Sequence, residues 1–141
     1  MTVQRVLFVG TENAARSQMA EGILRAWAGD RYDVSSAGVE ATAVQPLAIE
    51  AMAEIGIDIS QHTSKSVGLF REEPFFRAVT VCDDGKEACP FFPWADQQLH
   101  WSFEDPSAAE GTDGERMAVF RMVRDQIRAR VESEFPRSDE P

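Results

Sequence analysis

Residues 3–28 constrain the fold of this chain more than any other stretch. Residues 3–9 form an almost continuous apolar run rich in β-branched residues, which is typical of a strand buried on both faces of a sheet. A short loop of small residues follows, and residues 16–28 then have the pattern of a helix. The apolar residues of that helix share one face: Met19, Ala20, Ile23, Leu24 and Trp27. A buried strand leading through a tight loop into an amphipathic helix predicts an α/β fold.

The rest of the chain continues this alternation. Strands are predicted over residues 31–37, 78–81 and 99–101, and helices over 46–55, 66–73 and 113–135. We therefore expect one α/β domain over residues 1–141, built on a four-stranded parallel sheet flanked by helices on both faces, with a frayed tail at 136–141. Ligands of such sheets bind beyond the carboxyl ends of the strands, where the loop at 10–16 lies.

Composition and charge narrow the class of protein. The 141 residues carry a formal net charge of −10, which argues against non-specific binding to nucleic acid or to an anionic membrane surface. No stretch has the length of a membrane span or the pattern of a secretory signal. We therefore expect a cytoplasmic protein whose two cysteines, Cys82 and Cys89, are reduced or redox-active.

Residues 10–16 have the composition of an anion-binding loop. A tight turn into a helix aims backbone N–H groups and the helix dipole at one point. The planar Arg16 guanidinium can donate hydrogen bonds to two oxygens of a tetrahedral anion, and Ser17 can direct its hydroxyl toward position 10. The alternative is an ordinary strand-to-helix turn with a solvated arginine. The residues predicted to bind an oxyanion are Thr11, Glu12, Asn13, Ala14, Ala15 and Arg16.

The segment VLFVGTENAARSQMAEG resembles the signature of the low-molecular-weight tyrosine phosphatases, in which a cysteine, five residues and Arg-Ser open a helix. Its QMAEG continuation is most similar to the thioredoxin-coupled arsenate reductases, which share that fold. The resemblance implies a catalytic role for Arg16 and Ser17, and a nucleophilic cysteine at position 10. This chain has Gly10 there.

The segment TVCDDGKEACPFFP also resembles that reductase family. The resemblance implies that Cys82 captures the loop cysteine as a disulfide, that Cys89 resolves it, and that thioredoxin, the external reductant, reduces the resulting bond. By spacing alone, the two cysteines would as readily be buried apolar residues, and a structural disulfide is a further alternative. Because His62 and His100 are scattered, no metal site is expected.

Asp105-Pro106 is the third motif of the resemblance. In this fold an Asp-Pro on a loop over the cradle acts as general acid, so Asp105 is the expected acid. Alone, Asp-Pro would only indicate a turn. The phosphatases usually follow the proline with aromatic residues that hold a phosphotyrosine ring. Ser107, Ala108 and Ala109 cannot do so, which favours the reductases.

A potassium site found in some of these reductases is altered in this sequence. Asn13, Glu21 and Ser36 match three of its ligands, but the fourth position is Lys65. The lysine ammonium is a compact positive charge, so we expect it to replace the cation and no cofactor to be required.

Gly10 separates binding from reaction. Glycine has no nucleophile, and nothing near Thr11 would activate its hydroxyl. The sequence therefore predicts an arsenate reductase by family that is inactive as written, yet binds arsenate, phosphate or sulfate at least as well as a cysteine version, because no thiolate repels the anion. The alternatives are a non-catalytic oxyanion-binding protein and a low-molecular-weight tyrosine phosphatase.

Overall fold

The computed structural model describes residues 3–83 and 92–136. Within these residues the strands are β1 (Gln4–Gly10), β2 (Tyr32–Gly38), β3 (Phe75–Thr80) and β4 (Ala95–His100). They form one four-stranded sheet in the order β2-β1-β3-β4, and every neighbouring pair is parallel. The predicted α/β class and four-stranded parallel sheet are confirmed.

Three α-helices accompany this sheet within the described residues: α1 (Arg16–Ala28), α2 (Pro46–Ala53) and α3 (Asp113–Glu134). All three contribute to one apolar core with alternate residues of β1, Val6 and Phe8. The intervening residues Leu7 and Val9 point into a second cluster on the other face, which is covered by the short 3-10 turn Val67–Phe70 and by Phe92. Strict alternation along β1 explains why a continuous apolar run is needed there.

Two predicted elements differ from the observed ones. A helix over 66–73 was expected, but only Val67–Phe70 is helical; none of its residues is buried, and Glu72 has a φ of 65° that ends the turn. The last strand was expected at 99–101, but β4 covers Ala95–His100. Because β4 is an edge strand with mostly exposed side chains, its sequence lacks the apolar alternation that marks a strand.

The predicted site residues converge at the carboxyl edge of the sheet. Gly10, the last residue of β1, is paired in register with Gly38, the last residue of β2. On the other side, the Val81 N–H donates to the Val9 carbonyl at 3.0 Å, just beyond the end of β3. Parallel strands therefore bring the loop at 10–16 and the residues after β3 to the same place.

Candidate oxyanion site

The loop at 10–16 turns its carbonyl groups away from the pocket that it encloses. Each carbonyl accepts a hydrogen bond from outside the pocket: Gly10 from Val39 N (3.3 Å), Thr11 from Glu40 N (3.0 Å), Glu12 from Ser64 Oγ (2.9 Å), Asn13 from Gln18 Nε2 (3.2 Å), Ala14 from Gln45 N (2.9 Å) and Ala15 from Met19 N (2.8 Å). In a trans peptide the next N–H points the opposite way from the carbonyl. The N–H groups of residues 11–16 are therefore directed toward the pocket.

The helix that follows the loop begins without a capping side chain. Ala15 occupies the N-cap of α1, and no acidic residue lies in the first turn. By contrast, Thr112 and Glu115 form a complete capping box at the start of α3. An uncapped N-terminus keeps its N–H groups and its partial positive charge for a ligand, so this end of α1 is suited to an anion.

Arg16 lines this pocket and is held in place by neighbouring groups. It is almost fully buried, its Nη1 donates to the Phe103 carbonyl at 3.2 Å, and its Nη2 lies 3.8 Å from Asp105 Oδ2. These contacts fix the plane of the guanidinium, so the side chain predicted to grip two anion oxygens is already oriented. The alternative of a solvated arginine is wrong, because the burial is observed directly.

Asp105 reaches the cradle from a distant part of the chain. It precedes the 3-10 turn Pro106–Ala108, and its Oδ1 accepts from the Ser107 N–H at 2.9 Å. Asp105 and Ser107 line the same pocket as Gly10 and Arg16. The side chain of Asp105 is partly exposed, as a group that exchanges a proton with ligand and solvent needs to be.

Asn13 holds the loop in its conformation through hydrogen bonds of its side chain. Its φ of 55° is positive, which asparagine tolerates better than most residues, and its side chain is buried. Its Nδ2 donates to Ser17 Oγ at 2.8 Å and to Ser36 Oγ at 2.9 Å, while its Oδ1 accepts from Gln18 Nε2 at 2.9 Å and Lys65 N at 2.8 Å. One amide thus ties the loop to α1, to β2 and to the segment before the 3-10 turn.

Next to Asn13 lies a buried carboxylate, Glu21. Its Oε1 accepts a short hydrogen bond of 2.5 Å from the Ser36 hydroxyl and lies 3.9 Å from Lys65 Nζ, whose ammonium donates to the Thr63 carbonyl at 2.9 Å. The structure therefore brings Asn13, Glu21, Ser36 and Lys65 together, as the sequence comparison with the potassium site predicts. Among the described residues, no group of three or more His, Cys, Asp or Glu side chains could hold a metal ion.

Sequence reasoning missed two further groups on Glu21. Arg25 Nη2 lies 2.7 Å from Glu21 Oε2, and His62 Nε2 lies 3.8 Å from the same oxygen. His62 also contacts Gln18 Oε1 through Nδ1 at 3.0 Å, which connects the ring to the anion loop. Burial lowers the pKa of His62; Glu21 opposes that shift, whereas Arg25 and Lys65 add to it. The i, i+4 spacing of Glu21 and Arg25 on a helix was the available signal.

Glycines stand at two contact points of the loop. A Cβ added to Gly10 would lie 3.2 Å from Ser17 Oγ and 3.9 Å from Val81 Cγ2, so a side chain fits there after a shift of a few tenths of an ångström. A Cβ at Gly38 would lie 2.6 Å from the backbone nitrogen of Asn13, which leaves no room. Sequence reasoning treated Gly38 only as the end of a strand, although glycine is what close backbone approach requires.

Cys82 lies at the same sheet edge. It follows β3 by two residues, is fully buried and is disulfide-bonded. Its neighbour Val81 is, with Ser17, one of the two residues that a Cβ at position 10 would contact. Cys89 lies outside the described residues.

Comparison with known proteins agrees with this geometry. The family model described as low-molecular-weight phosphotyrosine protein phosphatase matches residues 5–137. The chain belongs to this family. Within the family it is similar to the arsenate reductase of Halalkalibacterium halodurans, with 45% identity over 133 residues, which is 94% of this chain and 96% of that protein. The resemblance to the arsenate reductases noted in the sequence is confirmed.

Solved structures of family members also match. One, described as an arsenate reductase in the phosphate-binding state, has a TM-score of 0.76 and 34% identity and covers 93% of this chain and 95% of its own. Another, a thioredoxin-dependent arsenate reductase of Corynebacterium glutamicum, has a TM-score of 0.62 and 27% identity over 93% of this chain and 61% of its own. None of the helices in the described residues is both long and apolar enough to span a membrane.

Proposed function

We propose that this chain has the oxyanion site of a thioredoxin-coupled arsenate reductase, and that Gly10 leaves the site able to bind arsenate without reducing it. The observation that carries the proposal is the set of outward carbonyls at residues 10–15, which directs the intervening N–H groups to one point beside a buried Arg16. A chain of net charge −10 repels anions at long range, so attraction must come from such local donors.

Each predicted site residue has a role in this proposal. The N–H groups of residues 11–16 and the Arg16 guanidinium bind the anion, and Ser17 is the hydroxyl nearest to position 10. Asp105, beside Arg16, supplies the proton that an arsenate oxygen needs in order to leave as water. A tetrahedral anion of the arsenate or phosphate type satisfies all of these groups together.

The reduction itself needs two electrons from thiols. In a chain with cysteine at position 10, that sulfur attacks arsenic and a protonated oxygen leaves as water. Cys82 then attacks the position-10 sulfur, the sulfur–arsenic bond breaks, and the electron pair remains on arsenic, which leaves as arsenite. Cys89 next attacks Cys82, releases the position-10 thiolate and forms the bond that a dithiol reductant cleaves. Gly10 removes the first of these steps.

Thioredoxin is the reductant that we propose. Two observations support it: the Corynebacterium glutamicum relative is a thioredoxin-dependent arsenate reductase, and Cys82 of this chain is disulfide-bonded. Such a relay requires a compartment in which disulfides are reduced, so a cytoplasmic location suits it.

The second candidate function is oxyanion binding with no reaction. Gly10 favours it, because the cradle is complete while the nucleophile is absent. A tyrosine phosphatase is less well supported, because Ser107, Ala108 and Ala109 offer no aromatic surface beside the pocket.

The experiment compares this chain with its Gly10→Cys variant. Both are incubated with arsenate, thioredoxin, thioredoxin reductase and NADPH, and arsenite is measured directly. We expect arsenite only from the variant, which should form it at a rate on the order of 10⁴-fold higher than the unmodified chain. Gly10→Cys combined with Cys82→Ser should release no arsenite beyond background, because the second thiol is absent.

Two results would contradict the proposal. Turnover by the unmodified chain would show that position 10 is not the nucleophile. A Gly10→Cys variant that does not reduce arsenate but hydrolyses an aryl phosphate would assign the site to phosphatase chemistry instead.

A further inference from the structure

One hydroxyl in the pocket has no partner. Ser107 Oγ is buried, and within the described residues no group is placed to hydrogen bond with it. Three serine hydroxyls beside the loop are all engaged: Ser17 Oγ accepts from Asn13, Ser36 Oγ donates to Glu21, and Ser64 Oγ donates to the Glu12 carbonyl. Ser107 therefore differs from the serines that only support the loop.

The position of Ser107 is fixed by its own backbone. Its N–H donates to Asp105 Oδ1 at 2.9 Å, and the next two N–H groups, of Ala108 and Ala109, bond to the Asp105 and Pro106 carbonyls at 3.1 Å. The 3-10 turn is thus held closed by three hydrogen bonds. Its serine lines the pocket on the side of Asp105, together with Gly10 and Arg16.

A buried hydroxyl without a partner is unfavourable, because it has lost water and gained nothing in exchange. Such groups in folded proteins commonly mark the place of a ligand or an ordered water. The pocket that Ser107 lines is the one whose other groups suit a tetrahedral anion. We propose that the Ser107 hydroxyl donates a hydrogen bond to the bound oxyanion and completes the cradle from the side of the acid.

This proposal rests on the proposed function, since it needs an oxyanion in the pocket. It adds that the turn Pro106–Ala108 takes part in binding as well as in presenting Asp105. The hydroxyl both donates and accepts, so it suits the deprotonated and the protonated oxygens of hydrogen arsenate and hydrogen phosphate alike.

The test uses Ser107→Ala, which removes the hydroxyl and keeps the N–H that bonds Asp105. Calorimetric titration with inorganic phosphate should show affinity roughly tenfold weaker than in the unmodified chain. The thermal midpoint without phosphate should be unchanged or higher, because the variant no longer buries an unpaired hydroxyl. A serine with only a structural role would lower that midpoint.

Two further variants complete the design. Ser133→Ala, on the exposed surface of α3, should bind phosphate as the unmodified chain does. Ser107→Thr keeps a hydroxyl and should bind more tightly than Ser107→Ala. If Ser107→Ala binds phosphate as tightly as the unmodified chain, the role of Ser107 is overturned while the oxyanion site stands. If the unmodified chain binds no phosphate, the oxyanion site and the role of Ser107 are overturned together.

Discussion

The Lys65 ammonium nitrogen lies 3.9 Å from Oε1 of Glu21, a carboxylate buried directly behind the anion loop. The same oxygen accepts from Ser36, which in turn accepts from Asn13. A positive charge is therefore built into the place where a bound cation would otherwise compensate Glu21. Asn13, which is part of the anion loop, connects the loop to this group of side chains through its hydrogen bond to Ser36.

The stability of this chain should not depend on potassium. We expect equal thermal midpoints in potassium chloride and in tetramethylammonium chloride of the same concentration, because Lys65 and Arg25 already neutralise Glu21. Lys65→Met should lower the midpoint and make it depend on potassium. Arg128→Met, which removes an exposed positive charge on α3, is the control and should do neither. A strong potassium dependence of the unmodified chain would show that the lysine does not replace the ion.

Gly38→Ala should disturb the anion loop more than the addition of a single methyl group suggests. The added Cβ would lie 2.6 Å from the Asn13 nitrogen, so strand and loop must move apart. We expect a loss of about 1–3 kcal/mol in the free energy of unfolding and a marked loss of phosphate affinity. Gly68→Ala is the matched control, since its Cβ would meet only Ser66 Oγ at 3.5 Å. Equal effects of the two substitutions in denaturant titrations would refute the close approach.

Protonation of His62 should destabilise the fold. Its pKa lies below the ordinary value of 6.5, chiefly because burial disfavours the charged ring; Glu21 and Asp58 oppose this shift, whereas Arg25 and Lys65 add to it. The unfolded chain therefore takes up this proton first, and stability should fall as the pH drops below about 6.5.

The measurement is the midpoint of thermal unfolding between pH 7.5 and 5.5. His62→Gln should flatten the profile in this range. An unchanged slope in His62→Gln would assign the pH dependence to other groups.

Asp105 should favour anions that carry a proton. Its carboxylate faces the pocket beside Arg16, so it can accept from the hydroxyl of hydrogen phosphate but only repels sulfate. Asp105→Asn should lower the ratio of phosphate to sulfate affinity roughly tenfold, the size of one charge-assisted hydrogen bond. Any loss of Arg16 orientation affects both anions and cancels in the ratio. Glu104→Gln, an exposed neighbour, should leave the ratio as it is; a ratio unchanged in Asp105→Asn would remove the carboxylate from anion selection.

Much of the fold could be predicted because its central elements follow simple patterns. β1 and α1 bury their apolar residues in regular alternation and on one helical face, and α1 begins and ends as predicted. The start of β4 was missed because an edge strand buries little, and the helix expected over 66–73 was too long because only Val67 and Phe70 of the turn are partly buried against the second cluster. Apolar periodicity in a sequence predicts a helix or strand only where that element buries one of its faces.

The candidate site divides in the same way. The loop and Arg16 could be predicted because they are contiguous, and Asp105 because it belongs to a motif. Gly38, His62 and Ser107 could not, since each matters only through an approach between residues far apart in the chain. Such contacts follow from the fold and leave no local signature.

Calorimetric titration of arsenate into the unmodified chain and into Gly10→Cys, with every thiol reduced, tests most directly whether Gly10 separates binding from reaction. We predict saturable binding at one site, at least as tight with glycine as with cysteine, because no thiolate repels the anion. Glycine also loosens the loop, at a cost of roughly 0.5–1 kcal/mol, which works in the opposite direction. Weaker binding by the glycine chain, or none, would contradict the prediction.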